Sequence, residues 1–191
     1  MRITGGKFSG LALASLGKGD PGAHLRPTTD RVRESLFSIL THGPFGDALS
    51  DARVLDLFAG TGALGLEALS RGASHVTFID KGRVARKLIL QNIERARAEA
   101  QTRFLLRDAT RFGPADAPGA TLVFCDPPYG RDLTAKALIS ARDAGWIAPG
   151  ARVVSEDRDN TEAPHGFRLE DTRRYGDTVL SFLVADDAGA I

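Results

Sequence analysis

The chain has 191 residues, 42% of them hydrophobic, and a formal net charge of +1. Glycine and proline together number 30, about 16%, below the roughly 25–30% of low-complexity disorder, and one domain of this size buries enough surface to need no metal or disulfide staple. The single cysteine, Cys125, excludes a disulfide framework and a four-thiolate zinc site. No apolar run approaches the roughly 20 residues of a membrane helix, and Met1-Arg2-Ile3-Thr4-Gly5-Gly6 does not open a signal peptide. A soluble cytoplasmic protein is expected.

Ile3 to Leu16, punctuated by Gly5, Gly6 and Gly10, reads as a small hairpin, and Gly17 to Ala23 as a loop. A helix starts after Pro27, capped by Thr28 or Thr29, carries an apolar stripe of Val32, Leu36, Phe37, Ile39 and Leu40, and ends at Gly43-Pro44. Strands then alternate with helices. Arg53–Phe58 is a strand, Gly62–Arg71 a helix, His75–Ile79 a strand, Lys81–Ala100 a long helix and Arg103–Leu106 a short strand. Ala120–Cys125 is a strand, Leu133–Ala144 a helix and Ala151–Ser155 a strand. Phe167–Arg174 and Thr178–Val184 form a closing hairpin around Tyr175-Gly176-Asp177. The alternation predicts a doubly wound α/β fold. The expected organisation is a hairpin extension over 1–25, a main domain over 26–185 and a frayed tail over 186–191.

Charge divides unevenly: residues 1–111 carry a net +6 and residues 112–191 a net −5, with 20 arginines against 5 lysines overall. Such asymmetry fits a nucleic-acid surface as well as ordinary solvation.

Asp56, Asp80, Asp108 and Asp126 each fall at or just past a strand's carboxyl end, where open α/β sheets bind ligands. Gly60, Gly62 and Gly65 match G-x-G-x-x-G between a strand and a helix, with Asp80 twenty residues after Gly60. A carboxylate there suits a ribose diol. Asp56 beside the loop would repel a pyrophosphate but help hold an ammonium group, which favours S-adenosylmethionine over a dinucleotide. Asp126-Pro127-Pro128-Tyr129 puts one acceptor and one ring at the crevice mouth. Tyr129 would stack on a flipped base while Asp126 and the Pro127 carbonyl accept from its exocyclic amine. Cys125 reads as a core residue rather than a nucleophile, and the four histidines lack metal-ligand spacing.

The glycine loop with its acid, Asp108-Ala109 and Asp126-Pro127-Pro128-Tyr129 together resemble the Rossmann-like DPPY-type N-methyltransferases, whose class I fold is a mostly parallel seven-stranded sheet. Gly5-Gly6-Lys7 with Gly10, the run Leu25 to Phe37 (LRPTTDRVRESLF) and Asp56 to Arg71 (DLFAGTGALGLEALSR) resemble the bacterial 16S rRNA guanine-N2 methyltransferase family, from Ile3 to about Val184. The resemblance implies methyl transfer from S-adenosylmethionine to the N2 amine of a guanine in 16S rRNA, within the small subunit or an assembly intermediate, by a monomer without metal. It implies that Asp56, Gly60 and Gly62 hold the methionine end of the cofactor, Asp80 the ribose, and Asp108 with the Ala109 amide the adenine. Asp126, Pro127 and Tyr129 would hold the guanine, and Arg26, Arg31, Arg33 and Lys7 would approach RNA. Here Leu11-Ala12-Leu13-Ala14 follows Gly10 where family members often carry basic residues. The competing readings are a DNA adenine-N6 methyltransferase, a glutamine-N5 protein methyltransferase, a nicotinamide oxidoreductase and a non-catalytic RNA-binding module.

Overall fold

The computed structural model describes residues 1–15, 30–128, 133–158 and 162–187. In chain order these hold α1 (Asp30–His42), β1 (Arg53–Leu57), α2 (Ala63–Ser70), β2 (His75–Asp80), α3 (Arg83–Ala96), β3 (Thr102–Leu106), β4 (Ala120–Cys125), α4 (Leu133–Asp143), β5 (Ile147–Asp157), β6 (Phe167–Tyr175) and β7 (Thr178–Ala185). The strands form one sheet in the order β3-β2-β1-β4-β5-β7-β6. Pairings from β3 through β5 are parallel, and β7 runs antiparallel to both β5 and β6. The expected mostly parallel seven-stranded sheet is therefore present, with one reversed strand supplied by the closing hairpin. Among the described residues no helix is long and apolar enough to cross a membrane.

Strands buried on both faces explain the near-continuous apolar runs of β1 and β4. On one face, α1, α2 and α3 cover Val54, Val76, Phe78, Phe124 and Phe182, and Phe37 of α1 tilts against Phe124 at 5.8 Å. On the other, α4 packs Ala137, Leu138 and Ala141 over Leu55, Leu57, Val123 and Val153. Cys125 and Trp146 belong to this second core, and the Trp146 indole donates to the Gly113 carbonyl. Strand order reverses between β1 and β4, so a crevice opens at their carboxyl ends.

Two boundaries differ most from expectation. The helix predicted to Ala100 ends at Ala96 because Arg97 takes a left-handed conformation (φ +51°), which a non-glycine residue does not advertise in sequence. The strand predicted from Ala151 starts at Ile147. Pro149 and Gly150 disguise its first turnings, and the β4 pairing slips there between Ala120 and Leu122. The proposed caps Thr28 and Thr29, the loop Gly17–Ala23 and residues 188–191 of the tail lie outside the described residues.

The amino-terminal hairpin forms. Arg2 bridges Ala12 in antiparallel sense, and a single 3-10 turn at Gly6–Phe8 reverses the chain. Ile3 and Leu13 join the same core as α1, α2 and α3. Gly6 has φ +75°, and a Cβ on it would fall 1.9 Å from the Ser70 carbonyl oxygen. The hairpin therefore lies flush on the end of α2.

A buried carboxylate fastens it. Glu67 of α2 is fully buried. It accepts from the Thr4 amide at 2.8 Å, the Thr4 hydroxyl at 2.8 Å, the Gly5 amide at 2.9 Å and Arg71 Nε at 2.7 Å. Arg33 Nε of α1 lies 3.5 Å away. Arg33 also donates to the Arg2 carbonyl and to Asp30. One acid thus receives two guanidiniums and ties the hairpin, α1 and α2 together.

Candidate active site

The loop leaving β1 turns through Phe58 (φ +58°), Gly60 (φ +58°) and Gly62 (φ +75°) before α2 begins. A left-handed backbone at a bulky residue such as Phe58 is strained, and such strain gathers at ligand-binding loops. Gly65 serves packing: a Cβ there would lie 2.4 Å from the Phe78 ring and 3.0 Å from Asp56 Oδ2. Its absence lets α2 descend onto β1 and β2.

Acids hold this loop in place. Asp56 lies beneath it, buried, and its Oδ2 accepts the Gly65 N–H at 3.0 Å. Asp80 accepts from the Gly60 N–H at 3.0 Å through one oxygen and from Gly82 at 2.7 Å through the other. A carboxylate has roughly four acceptor positions, so Asp80 retains lone pairs for further hydroxyl donors. Asp108 closes its own turn by accepting the Thr110 amide and hydroxyl at 2.9 and 2.7 Å. Lys81 Nζ reaches its second oxygen at 3.1 Å. Those bonds, the Thr110 pair first, hold the Asp108 carboxyl down to about 2. Ala109 beside it is buried.

Asp126 follows β4 directly, its N–H 3.4 Å from the Leu57 carbonyl, with Pro127 buried and Pro128 exposed next to it. Burial pushes the Asp126 carboxyl well above its usual range, and Glu156, Asp56 and Asp157 push it further. Burial likewise raises Asp56 to about 8, the Gly65 hydrogen bond opposes it, and Asp80 adds to it. Neither Asp56 nor Asp126 forms an ion pair among the described residues. The crevice therefore holds two poorly solvated carboxyls that have no ion-pair partner among the described residues, and a cation arriving there favours their ionised form. A cationic ligand fits it, and a pyrophosphate does not. Glu156, 6% exposed at the end of β5, is the acid that sequence reasoning missed. It occupies the same topological place as the other four, and that was its signal.

The other candidates divide. Tyr129 and Arg26 lie outside the described residues. Arg31 is exposed at the start of α1. Arg33 is 1% exposed and bound to Glu67 and Asp30, so the expectation that it meets RNA is corrected: its charge is used inside the fold. Lys7 donates to Gln101 at 2.9 Å. Gln101 immediately precedes β3, so Lys7 stands at the amino ends of the strands, opposite the crevice. Cys125 is buried and its thiol is pushed up by burial, which fits a core residue. No cluster of metal-ligating side chains occurs among the described residues.

A family model described as Conserved hypothetical protein 95 matches residues 1–184. The chain is 38% identical over 156 residues to ribosomal RNA small subunit methyltransferase D of Escherichia coli (strain K12), covering 82% of this chain and 74% of that one. It is 32% identical over 159 residues to the protein of the same name in Haemophilus influenzae, covering 82% and 78%. The solved structure of the yhhF protein of Escherichia coli superposes with a TM-score of 0.80 at 33% identity, over 98% of this chain and 99% of that one. These matches span the hairpin, the Glu67 junction and the acid-lined crevice alike, and the chain belongs to the Conserved hypothetical protein 95 family, the family of ribosomal RNA small subunit methyltransferase D.

Proposed function

We propose that the protein is an rRNA methyltransferase that moves a methyl group from S-adenosylmethionine to the exocyclic N2 of a guanine in small-subunit rRNA. The observation that carries this reading is the pair Asp56 and Asp126 at the ends of β1 and β4, which have no ion-pair partner among the described residues, with Asp126 followed by Pro127 and Pro128. When bound, S-adenosylmethionine supplies a positively charged sulfonium whose methyl is open to attack. Asp56 and the loop Phe58–Gly62 hold its ammonium end, Asp80 accepts from the ribose hydroxyls, and Asp108 with the Ala109 amide meets the adenine.

An exocyclic ring amine is a poor nucleophile because its lone pair is delocalised. Asp126 and the Pro127 carbonyl accept its two N–H bonds and draw the nitrogen towards tetrahedral geometry, which frees the lone pair. The guanine nitrogen would take the methyl group as the sulfonium releases it as a neutral thioether, and would then give up a proton. Asp126, held above the ordinary carboxylate range, is a base strong enough to receive it. Tyr129 adjoins this motif in sequence and supplies a ring for stacking on the base.

The test incubates the protein with tritiated S-adenosylmethionine and small subunits from a strain lacking this modification, followed by nucleoside mass spectrometry. N2-methylguanosine is the expected product. Label on adenine N6, or label accepted by duplex DNA instead, overturns the guanine assignment.

A further inference from the structure

The basic residues of α3 are not absorbed by the crevice. Arg83, Lys87, Gln91 and Arg95 recur at intervals of four, so they form one row with steps of about 6 Å and a length of about 18 Å. This row, together with Val84, Leu88, Ala14 and Ser15, lines a groove of about 570 Å³ between α3 and the chain leaving the hairpin. No acid lines it. Glu94, the one acid of α3, lies about 100° around the helix from Arg95.

Arg83 and Lys87 are exposed and make no ion pair among the described residues, and Arg95 donates only to the Ala12 carbonyl at 3.2 Å. By contrast, Arg103 is matched with Asp116, Arg142 with Asp143 and Arg173 with Asp171. The groove begins at the rim of the crevice, since Gly82 before α3 is bonded to Asp80. From β2 to β4 is two strand spacings, about 10 Å.

We propose that this groove seats the phosphodiester backbone of the RNA substrate, with Arg83 and Lys87 as phosphate contacts that bring a strand to the crevice. The proposal rests on the reading of the enzyme as an rRNA methyltransferase. Three cations with no acid beside them among the described residues match a polyanion, and a row about 18 Å long suits a strand better than a single ion.

The test titrates a 16S rRNA fragment against the wild type, an Arg83→Gln/Lys87→Gln variant and an Arg168→Gln control from the far edge of the sheet, across a range of KCl concentrations. Losing two phosphate contacts lowers the slope of log K against log salt by about 1.4–1.8 and weakens binding about tenfold or more at moderate salt. Affinity for S-adenosylhomocysteine by calorimetry stays unchanged. An unaltered slope in the double variant, an equal fall in the control, or an equal loss of S-adenosylhomocysteine affinity overturns the groove. Methylation of small subunits by the wild type is scored separately. Methylation with an unaltered slope removes the groove and keeps the enzyme. A fallen slope without methylation keeps the groove and removes the enzymatic reading.

Discussion

Two buried acids on the same side of the sheet have opposite circumstances. Glu67 is surrounded by Arg33, Arg71, Thr4 and Gly5. Asp56, about as deeply buried, has one backbone N–H and an acidic neighbour. Desolvating a charge is expensive unless donors and counter-charges replace water. Glu67 has its replacement within the chain and acts as a fastener. Among the described residues Asp56 and Asp126 lack one, so the cost of desolvating them is offset when something cationic arrives. Burial alone therefore does not separate a structural acid from a functional one; the source of the compensating charge does.

The largest test of this contrast is Asp126→Ala. It should lower kcat about 1,000-fold, or about 4 kcal/mol of barrier, with an unchanged unfolding transition; wild-type turnover by the folded variant would break the contrast. Glu67→Ala should do the converse. It strands Arg33 inside the fold and should cost about 3 kcal/mol of stability in urea unfolding, whereas Glu67→Met with Arg33→Met should recover part of the loss.

The pH dependence sharpens the point. Asp56 is raised from an ordinary 3.8 to about 8, so the stability it contributes is complete below pH 4 and is lost as pH rises through 8. Asp56→Asn should accordingly stabilise the cofactor-free protein at pH 8 and above by on the order of 2 kcal/mol, while weakening S-adenosylmethionine binding. Loss of stability at pH 8 would contradict it. Asp80→Asn should weaken cofactor binding about tenfold, about 1.4 kcal/mol by titration calorimetry. The smallest effect belongs to Asp108, lowered to about 2. Its contribution is present above pH 4 and fades as pH falls through 2, the reverse of Asp56. Its Lys81 partner is largely exposed, so Lys81→Ala should change stability at pH 7 by less than about 1 kcal/mol in thermal unfolding.

Much of this was legible in the residues. Short, near-continuous apolar runs located the central strands because both their faces are buried, helical spacing located α1 and α3 because each buries one face, and the four aspartates marked the crevice because strand ends recur at fixed places in the alternation. Glu67 escaped because a glutamate in a helix is ordinarily solvated. Its setting in Ala63-Leu64-Gly65-Leu66-Glu67-Ala68-Leu69, with apolar residues on every side, was the available sign. Arg33 escaped for the mirror reason, since arginine at a helix start suggests phosphate. The spacing of Arg31 and Arg33 put them on different faces of α1, and the fold used one for packing. Phe58 and Arg97 adopt left-handed backbone without glycine, and nothing local in the sequence announces that.

Asn92 of α3 has a wider consequence. It accepts from the Ala14 N–H at 2.7 Å and donates to the Ala14 carbonyl at 3.1 Å and the Thr61 carbonyl at 2.9 Å. One amide therefore grips the outgoing strand of the hairpin and the glycine loop together. The chain after Ser15 sets out from a point anchored to the loop that borders the crevice. A ligand that alters this shared contact couples the two sites, and any such linkage is reciprocal. Whatever free energy a ligand in the crevice lends to the hairpin's exit, a partner engaging that exit returns in equal measure to the crevice.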